Sequence, residues 1–352
     1  MKRKFLGRVS AVAMASAMMV SMFVMTTFAA DGLEGDGNTP ITEVTVNKTV
    51  TTDGDTYAPN TTFGFDVNTA GETTYEGATV KAGVDGGLVF SEGAVFTPNM
   101  TTVSGTYTAN GSLDVNSTVF TEPGIYHYQV SEKQGSYDGI EYDDAVYDVY
   151  VYVYNRSTTG TTNSLYVGNI VSVDSKGSKT DLTFTNDYGK DNNTTHDVTI
   201  TKNITGTMAD LRDEFTFTVK VTGADGEQYK VETTGSTTNE NVYLTSGKSE
   251  TFTLGNGDTI HIYGLSENDT YEVTEDAANQ NGYTTTINDN STDNGTISGK
   301  LTTDGTQITY ENNKAGEIAT GIIMNIAPYI VLVAFAAVAA LFFLRRRNNR
   351  EF

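Results

Sequence analysis

"VTITKNITG", residues 198–206, alternates with a period of two: Val198, Ile200 and Ile204 share one face, as in a strand whose other side meets water. Lys202 falls on the apolar face. A lone ammonium among branched apolar side chains costs several kcal/mol unless it is paired or neutralised. The same anomaly occurs earlier in the chain. In "VTVNKTV", residues 44–50, Val44, Val46 and Val50 share their face with Lys48.

Other segments repeat in the same order. "TTFGFDV" at 61–67 is answered by "DEFTFTV" at 213–219, "YHYQVSEK" at 126–133 by "TYEVTEDA" at 270–277, and "LTFTNDY" at 182–188 by "ITYENNK" at 308–314. Two copies of one domain are expected, over 40–188 and 195–315, and each is too long for a solenoid repeat. Period-two alternation runs through both, as in "YDVYVYVYN" (147–155), "EFTFTVKVT" (214–222) and "DTIHIYGL" (258–265), separated by turns rich in Gly, Asn, Asp and Thr. The pattern predicts an all-β chain of two tandem antiparallel sandwiches. Residues 31–41 read as a flexible leader, and 189–197 as a polar linker.

The two ends are of a different kind. Residues 1–30 have a basic start, an apolar stretch and small residues at Ala29 and Ala30, the pattern of a secretory signal peptide. Residues 316–352 hold "IAPYIVLVAFAAVAALFFLRRRNNREF", whose apolar run is long enough for a transmembrane helix and whose arginines favour the cytoplasmic side. A lipid-anchor signal ends in its apolar tail and lacks such a basic cluster. The chain has 44 acidic and 22 basic residues, a formal net charge of −22, and much of its positive charge sits at the two ends. Nucleic acid is excluded as a partner on this balance. With no cysteine in 352 residues, disulfides cannot reinforce an exported, strand-rich protein. Three histidines without ligand spacing give no metal site, the acidic loops at 53 and 288 lack calcium-loop spacing, and no cofactor motif is present.

Parity singles out more residues. Glu132 is in step with Tyr126, Tyr128 and Val130, and Glu275 with Tyr271 and Val273. Asn186 is in step with Leu182 and Phe184, and Asn312 with Ile308 and Tyr310. Any one of these reads alone as a strand-end residue reaching out to water. Together they give each repeat one Lys, one Glu and one Asn aimed at an apolar interior in the same chain order. Those three types suit intramolecular amide formation. Burial pushes the amine towards its neutral, nucleophilic form and keeps the acid protonated. The acid can then polarise the carboxamide and pass protons while the amine attacks and ammonia leaves. The product is a neutral Lys-Asn isopeptide, and it removes the buried charge.

On these residues, and on "YHYQVSEKQGSYDGIEYD" and "YEVTEDAANQNGY", the repeats resemble the streptococcal-type isopeptide-linkage domains of major shaft pilins in Gram-positive covalent pili. The resemblance covers nearly the whole exported segment. It implies Ig-like, CnaB-like sandwiches with the lysine on the first strand, the asparagine on the last and the acid on a central strand. That assigns Lys48, Glu132 and Asn186 to the first domain and Lys202, Glu275 and Asn312 to the second.

The C-terminus is similar to a cell-wall sorting signal, which implies cleavage between Thr320 and Gly321 by a sortase. Ala319 stands where such motifs usually carry proline. The resemblance further implies an acceptor lysine just before the last strand of the first domain. Lys179 holds that place in "SKGSKTDLTFTN", with Lys176 as the alternative. The partners implied are the sortase, copies of this chain and other pilins, and cell-wall peptidoglycan, with room for host surface ligands. The function expected is structural and not enzymatic beyond self-cross-linking. The competing reading is a monomeric wall- or membrane-anchored adhesin with the same stalk domains.

Overall fold

The computed structural model describes residues 37–102, 104–156, 164–189, 195–235, 243–301, 305–316 and 332–340. The described residues are overwhelmingly strand, arranged as two β-sandwiches in tandem.

In the first sandwich, a five-stranded sheet runs in the order Ile140–Glu141, Thr183–Tyr188, Glu43–Thr51, Thr106–Val115, Leu88–Glu92. The facing sheet runs Ser164–Val173, Val146–Arg156, Gly124–Glu132, Ala78–Ala82, Thr73–Tyr75, and Phe65–Thr69 also pairs with Gly124–Glu132. In the second, a seven-stranded sheet centred on Thr195–Thr205 and Thr306–Asn313 faces a sheet of Ser249–Leu254, Phe215–Thr222, Thr270–Glu275 and Thr296–Lys300. In each sandwich the first strand lies parallel to the last, beside otherwise largely antiparallel neighbours.

The cores follow from the alternation. Val46, Val50, Val130, Val149 and Phe184 are buried in the first sandwich, and Val198, Ile200, Phe217, Val273 and Tyr310 in the second. Gly111, opposite Val46, has a packing reason: a Cβ there would come within 2.6 Å of the Phe65 ring and 2.7 Å of the Glu92 carbonyl. Its absence lets Phe65 stack on Phe184, with ring centroids 5.3 Å apart.

The expectations for the connecting segments need adjusting. The end of the leader is docked and not loose: Ile41 N–H donates to Val167 O, and the Tyr166 hydroxyl to Gly37 O, both at 2.8 Å. The linker is shorter than its composition suggests, because the first strand of the second domain begins at Thr195. Of the C-terminal apolar stretch, residues 332–340 are helical with exposed side chains. Among the described residues no helix is long and apolar enough to cross a membrane. The signal peptide at 1–30, the sorting bond Thr320–Gly321 and most of the expected span lie outside the described residues.

Candidate functional site

The parallel pairing of first and last strands positions the chemistry. Lys48 is opposite Phe184 and Val50 opposite Asn186; in the second domain Lys202 is opposite Tyr310 and Ile204 opposite Asn312. In both, the lysine and asparagine are two residues out of register on neighbouring strands, so their side chains leave the same face as diagonal neighbours. The acid comes from the facing sheet. Glu132 pairs with Phe65 and Glu275 with Phe217, the same Phe/Glu combination in both copies.

All six side chains are buried, with Lys48 1% exposed and Lys202 fully enclosed. In the first domain Lys48 Nζ lies 3.0 Å from Glu132 Oε1, within ion-pair range but out of line for a hydrogen bond. Asn186 Nδ2 donates to the same oxygen at 3.0 Å. In the second domain the lysine and asparagine take opposite oxygens: Lys202 Nζ donates to Glu275 Oε2 at 2.9 Å and Asn312 Nδ2 to Oε1 at 2.6 Å. Each acid thus bridges the amine and the carboxamide nitrogen.

Sequence reasoning had the acid polarise the carboxamide oxygen. The geometry puts it on the nitrogen that would leave as ammonia. Asn186 Oδ1 instead accepts the backbone N–H of Asp143 at 2.8 Å, while Asn312 Oδ1 is buried with no hydrogen-bond partner among the described residues.

Desolvation sets the electrostatics. Burial lowers the Lys48 ammonium from its ordinary range, against the attraction of Glu132, and lowers Lys202 to about 8 against that of Glu275. Burial also raises the Glu132 carboxyl. Both Lys48 and Glu132 are driven towards their neutral forms, the pair needed for an amine to attack and an acid to move protons.

Aromatic rings keep water from the sites. Lys48 Nζ sits 5.0 Å from the Phe63 ring centroid, and Phe63 packs edge-on against Phe96 and Tyr142. Lys202 Nζ is 4.2 Å from Phe215 and 5.7 Å from Phe217. Sequence analysis noted these segments only as repeats. The shared Phe-x-Phe of "TFGFD" and "EFTFT" was the available signal for a paired aromatic cover.

The proposed acceptor lysines lie elsewhere, in the turn before the last strand of the first domain. Lys176 is exposed. Lys179 has a side chain 31% exposed and 3.5 Å from Glu76, and its backbone bridges to Val173.

Residues 44–189 match a family model described as the Spy0128-like isopeptide containing domain, and residues 196–314 match a domain of unknown function, DUF7601. A pilin of Streptococcus pyogenes serotype M1 is 28% identical over 348 residues, covering 92% of this chain and 96% of that relative. These matches are those of a Gram-positive shaft pilin. The solved major pilin protein T3.2 from S. pyogenes serotype GAS13637 superposes on this pilin with a TM-score of 0.57 and 26% identity, over 78% of this chain and 99% of that one. The S. pyogenes pilus tip adhesin Cpa is 32% identical over 120 residues, but that match spans only 17% of the adhesin. The relatives are structural pilins, and this pilin is a pilus shaft subunit at the cell surface, not an enzyme.

Proposed function

We propose that this pilin covalently reinforces itself with two autocatalytic isopeptide bonds, Lys48–Asn186 within a domain spanning 40–188 and Lys202–Asn312 within one spanning 195–315. Glu132 and Glu275 are the proton-transferring acids. The observation that carries the reading is the repeated triad: in both copies a buried carboxylate lies within 3.0 Å of the lysine amine and of the asparagine amide nitrogen. Proton transfer from the ammonium to the glutamate leaves a neutral amine. That amine attacks the carboxamide carbon, the protonated acid gives its proton to Nδ2, the C–N bond to Nδ2 breaks as ammonia leaves, and the carboxylate takes the surplus proton from the attacking nitrogen. The domain's own apolar packing supplies the desolvation, so no cofactor enters.

The pilin is further proposed to leave the cell behind a signal peptide at 1–30 and to be cut by a sortase between Thr320 and Gly321. It is then joined through the Thr320 carbonyl to a lysine of another copy or pilin, and finally to peptidoglycan. The acceptor lies in the turn ahead of Thr183–Tyr188, with Lys179 first and Lys176 as its alternative. Coverage of 96% of the S. pyogenes pilin supports the shaft role over that of a tip adhesin. Blots of wall extracts test polymerisation: a ladder of high-mass species is expected, and a single monomer band favours a wall- or membrane-held adhesin.

A further inference from the structure

The two triads differ at the carbonyl oxygen. We propose that the backbone N–H of Asp143 is the oxyanion donor for the Lys48–Asn186 reaction, a group without counterpart among the described residues around Asn312. The assignment rests on the cross-linking reading above.

Asp143 N–H is shared, donating to Asn186 Oδ1 at 2.8 Å and to Glu132 Oε2 at 3.0 Å. As Lys48 Nζ bonds to the Asn186 carbon, electrons of the C=O bond collect on Oδ1. Glu132, holding the proton taken from the amine, becomes a weaker acceptor at the same moment. The shared N–H therefore strengthens towards Oδ1 as charge develops, a gain larger in the transition state than in the ground state. Collapse of the tetrahedral centre re-forms C=O and expels Nδ2 as ammonia with the proton given by Glu132, whose carboxylate takes the surplus proton of the attacking nitrogen, giving one amide and one ammonia with no redox change. The site is dry, since Asn186 and Glu132 are buried and Phe63 and Tyr142 cover it, so a fixed N–H dipole acts with little solvent screening.

The local fold aims this donor. Strand Ile140–Glu141 pairs antiparallel with Thr183–Tyr188 for two residues, Glu141 opposite Asp187, and then leaves the ladder. Continued pairing would bring Asp143 level with Thr185. Instead the Asp143 carboxylate accepts Thr185 N–H at 2.6 Å and Ala145 N–H at 2.8 Å. These two clamps hold the departing chain against the strand bearing Asn186 and leave Asp143's own N–H turned inward. In the second domain the segment after the acid stays in the ladder. Thr285 is opposite Asn312, and its N–H donates to Asn279 Oδ1 at 2.9 Å.

The second domain serves as an internal control in the test. The full chain is synthesised cell-free with detergent and pulse-labelled, and samples are acid-quenched over time; peptide mass mapping then follows ammonia loss at each site. Asp143→Pro, which deletes the N–H, should slow the Lys48–Asn186 bond about 10²-fold and leave Lys202–Asn312 at its ordinary rate. A Glu132→Ala background, in which no first-domain bond forms, reports folding by thermal melting. If the proline variant fails to fold there, Asp143→Ala decides. It keeps the N–H but loses both clamps, and should slow the first bond about tenfold while the domain stays folded. A folded variant that cross-links at the unsubstituted rate, or that slows both domains equally, overturns the assignment alone. Absence of ammonia loss from the unsubstituted chain overturns the cross-linking reading and this assignment with it.

Discussion

Lys48 and Asn186 are diagonal neighbours on parallel strands, two residues out of register, and Lys202 and Asn312 repeat that offset. In each domain the chain enters along the strand with the lysine and leaves along the strand with the asparagine. A bond between them lets tension cross from first strand to last without loading residues 49–185 or 203–311. Noncovalent sandwiches resist pulling through their strand hydrogen bonds, whereas a domain so bonded has a route that bypasses the ladder. That is the mechanical sense of placing a costly buried charge there.

Intact mass should show the loss of two ammonia molecules, about 34 Da in all, without any added enzyme. Glu132→Ala and Glu275→Ala should each restore about 17 Da, because the proton path between amine and leaving nitrogen is cut. By the chain-entropy rule, each long closed loop should contribute up to about 5 kcal/mol, so the double variant should melt lower and be cleaved faster by trypsin. An unchanged melting temperature would contradict the stabilising role.

Lys202 supplies a pH test in a chain that cannot close its second bond. In Asn312→Ala the buried amine, lowered to about 8, is more easily deprotonated folded than unfolded, where its ordinary value is 10.5. Between those values the unfolded state holds more protons, so stability rises with pH. Below about 8 the amine is charged in both states and the full penalty is present. From pH 8 to 9.5 the second domain should gain about 2 kcal/mol in denaturant unfolding, at 1.36 kcal/mol per unit. Tyr310, raised by burial, reverses the trend only at higher pH. A flat profile, or the same slope in a Lys202→Met background, would remove Lys202 as the cause.

These triads were legible because strand parity is a sequence property: Lys48, Glu132 and Asn186 each keep step with apolar neighbours. Asp143 was not, because its contribution is a main-chain N–H exposed only where a strand leaves its ladder, and no side-chain pattern records that. The domain junction was equally hidden. Tyr188 and Glu227 hydrogen-bond across it, but one belongs to a last strand and the other to a turn 39 positions later, so their meeting depends on how two finished domains dock.

That junction carries its own prediction. The single Tyr229 hydroxyl proton lies between Glu227 Oε2 at 2.7 Å and Asp269 Oδ2 at 3.1 Å, so one carboxyl must carry a proton for both contacts to be hydrogen bonds. Burial raises both acids, Asp269 to about 7, with Asp138 adding to the effect. Acids raised on folding bind extra protons in the native state between about 4 and 7, so the junction loses stability as pH rises through that window. The surrounding groups, Tyr137, Tyr188 and Tyr229, stay neutral there, and Lys230, 2.6 Å from Asp55 across the junction, stays charged. Small-angle scattering should find the domain pair more rigid at pH 5 than at pH 8. Asp269→Asn, which keeps an acceptor for Tyr229, should weaken that dependence; unaltered dependence would point to other groups.

The acceptor lysine decides where force enters the next subunit. Both candidates lie in the turn ahead of Thr183–Tyr188, but their surroundings differ: Lys176 is open to solvent, while Lys179 is half-buried near Glu76. An exposed pair of this kind is worth about 0–1 kcal/mol, too little to withhold Lys179 from a sortase that binds the turn. Lys179 also lies closer in sequence to Asn186. Tension arriving there reaches the second domain after a single strand, and the proposed Lys48–Asn186 bond would stop that strand from being peeled away. Lys179→Ala should therefore leave only monomer at the surface with both internal ammonia losses intact, while Lys176→Ala still yields a ladder. Glu76→Ala, which frees the amine, should leave polymerisation intact or faster. A ladder that persists in Lys179→Ala and vanishes in Lys176→Ala, with tandem mass spectrometry placing the branch at residue 176, would move the junction three residues upstream and reject Lys179.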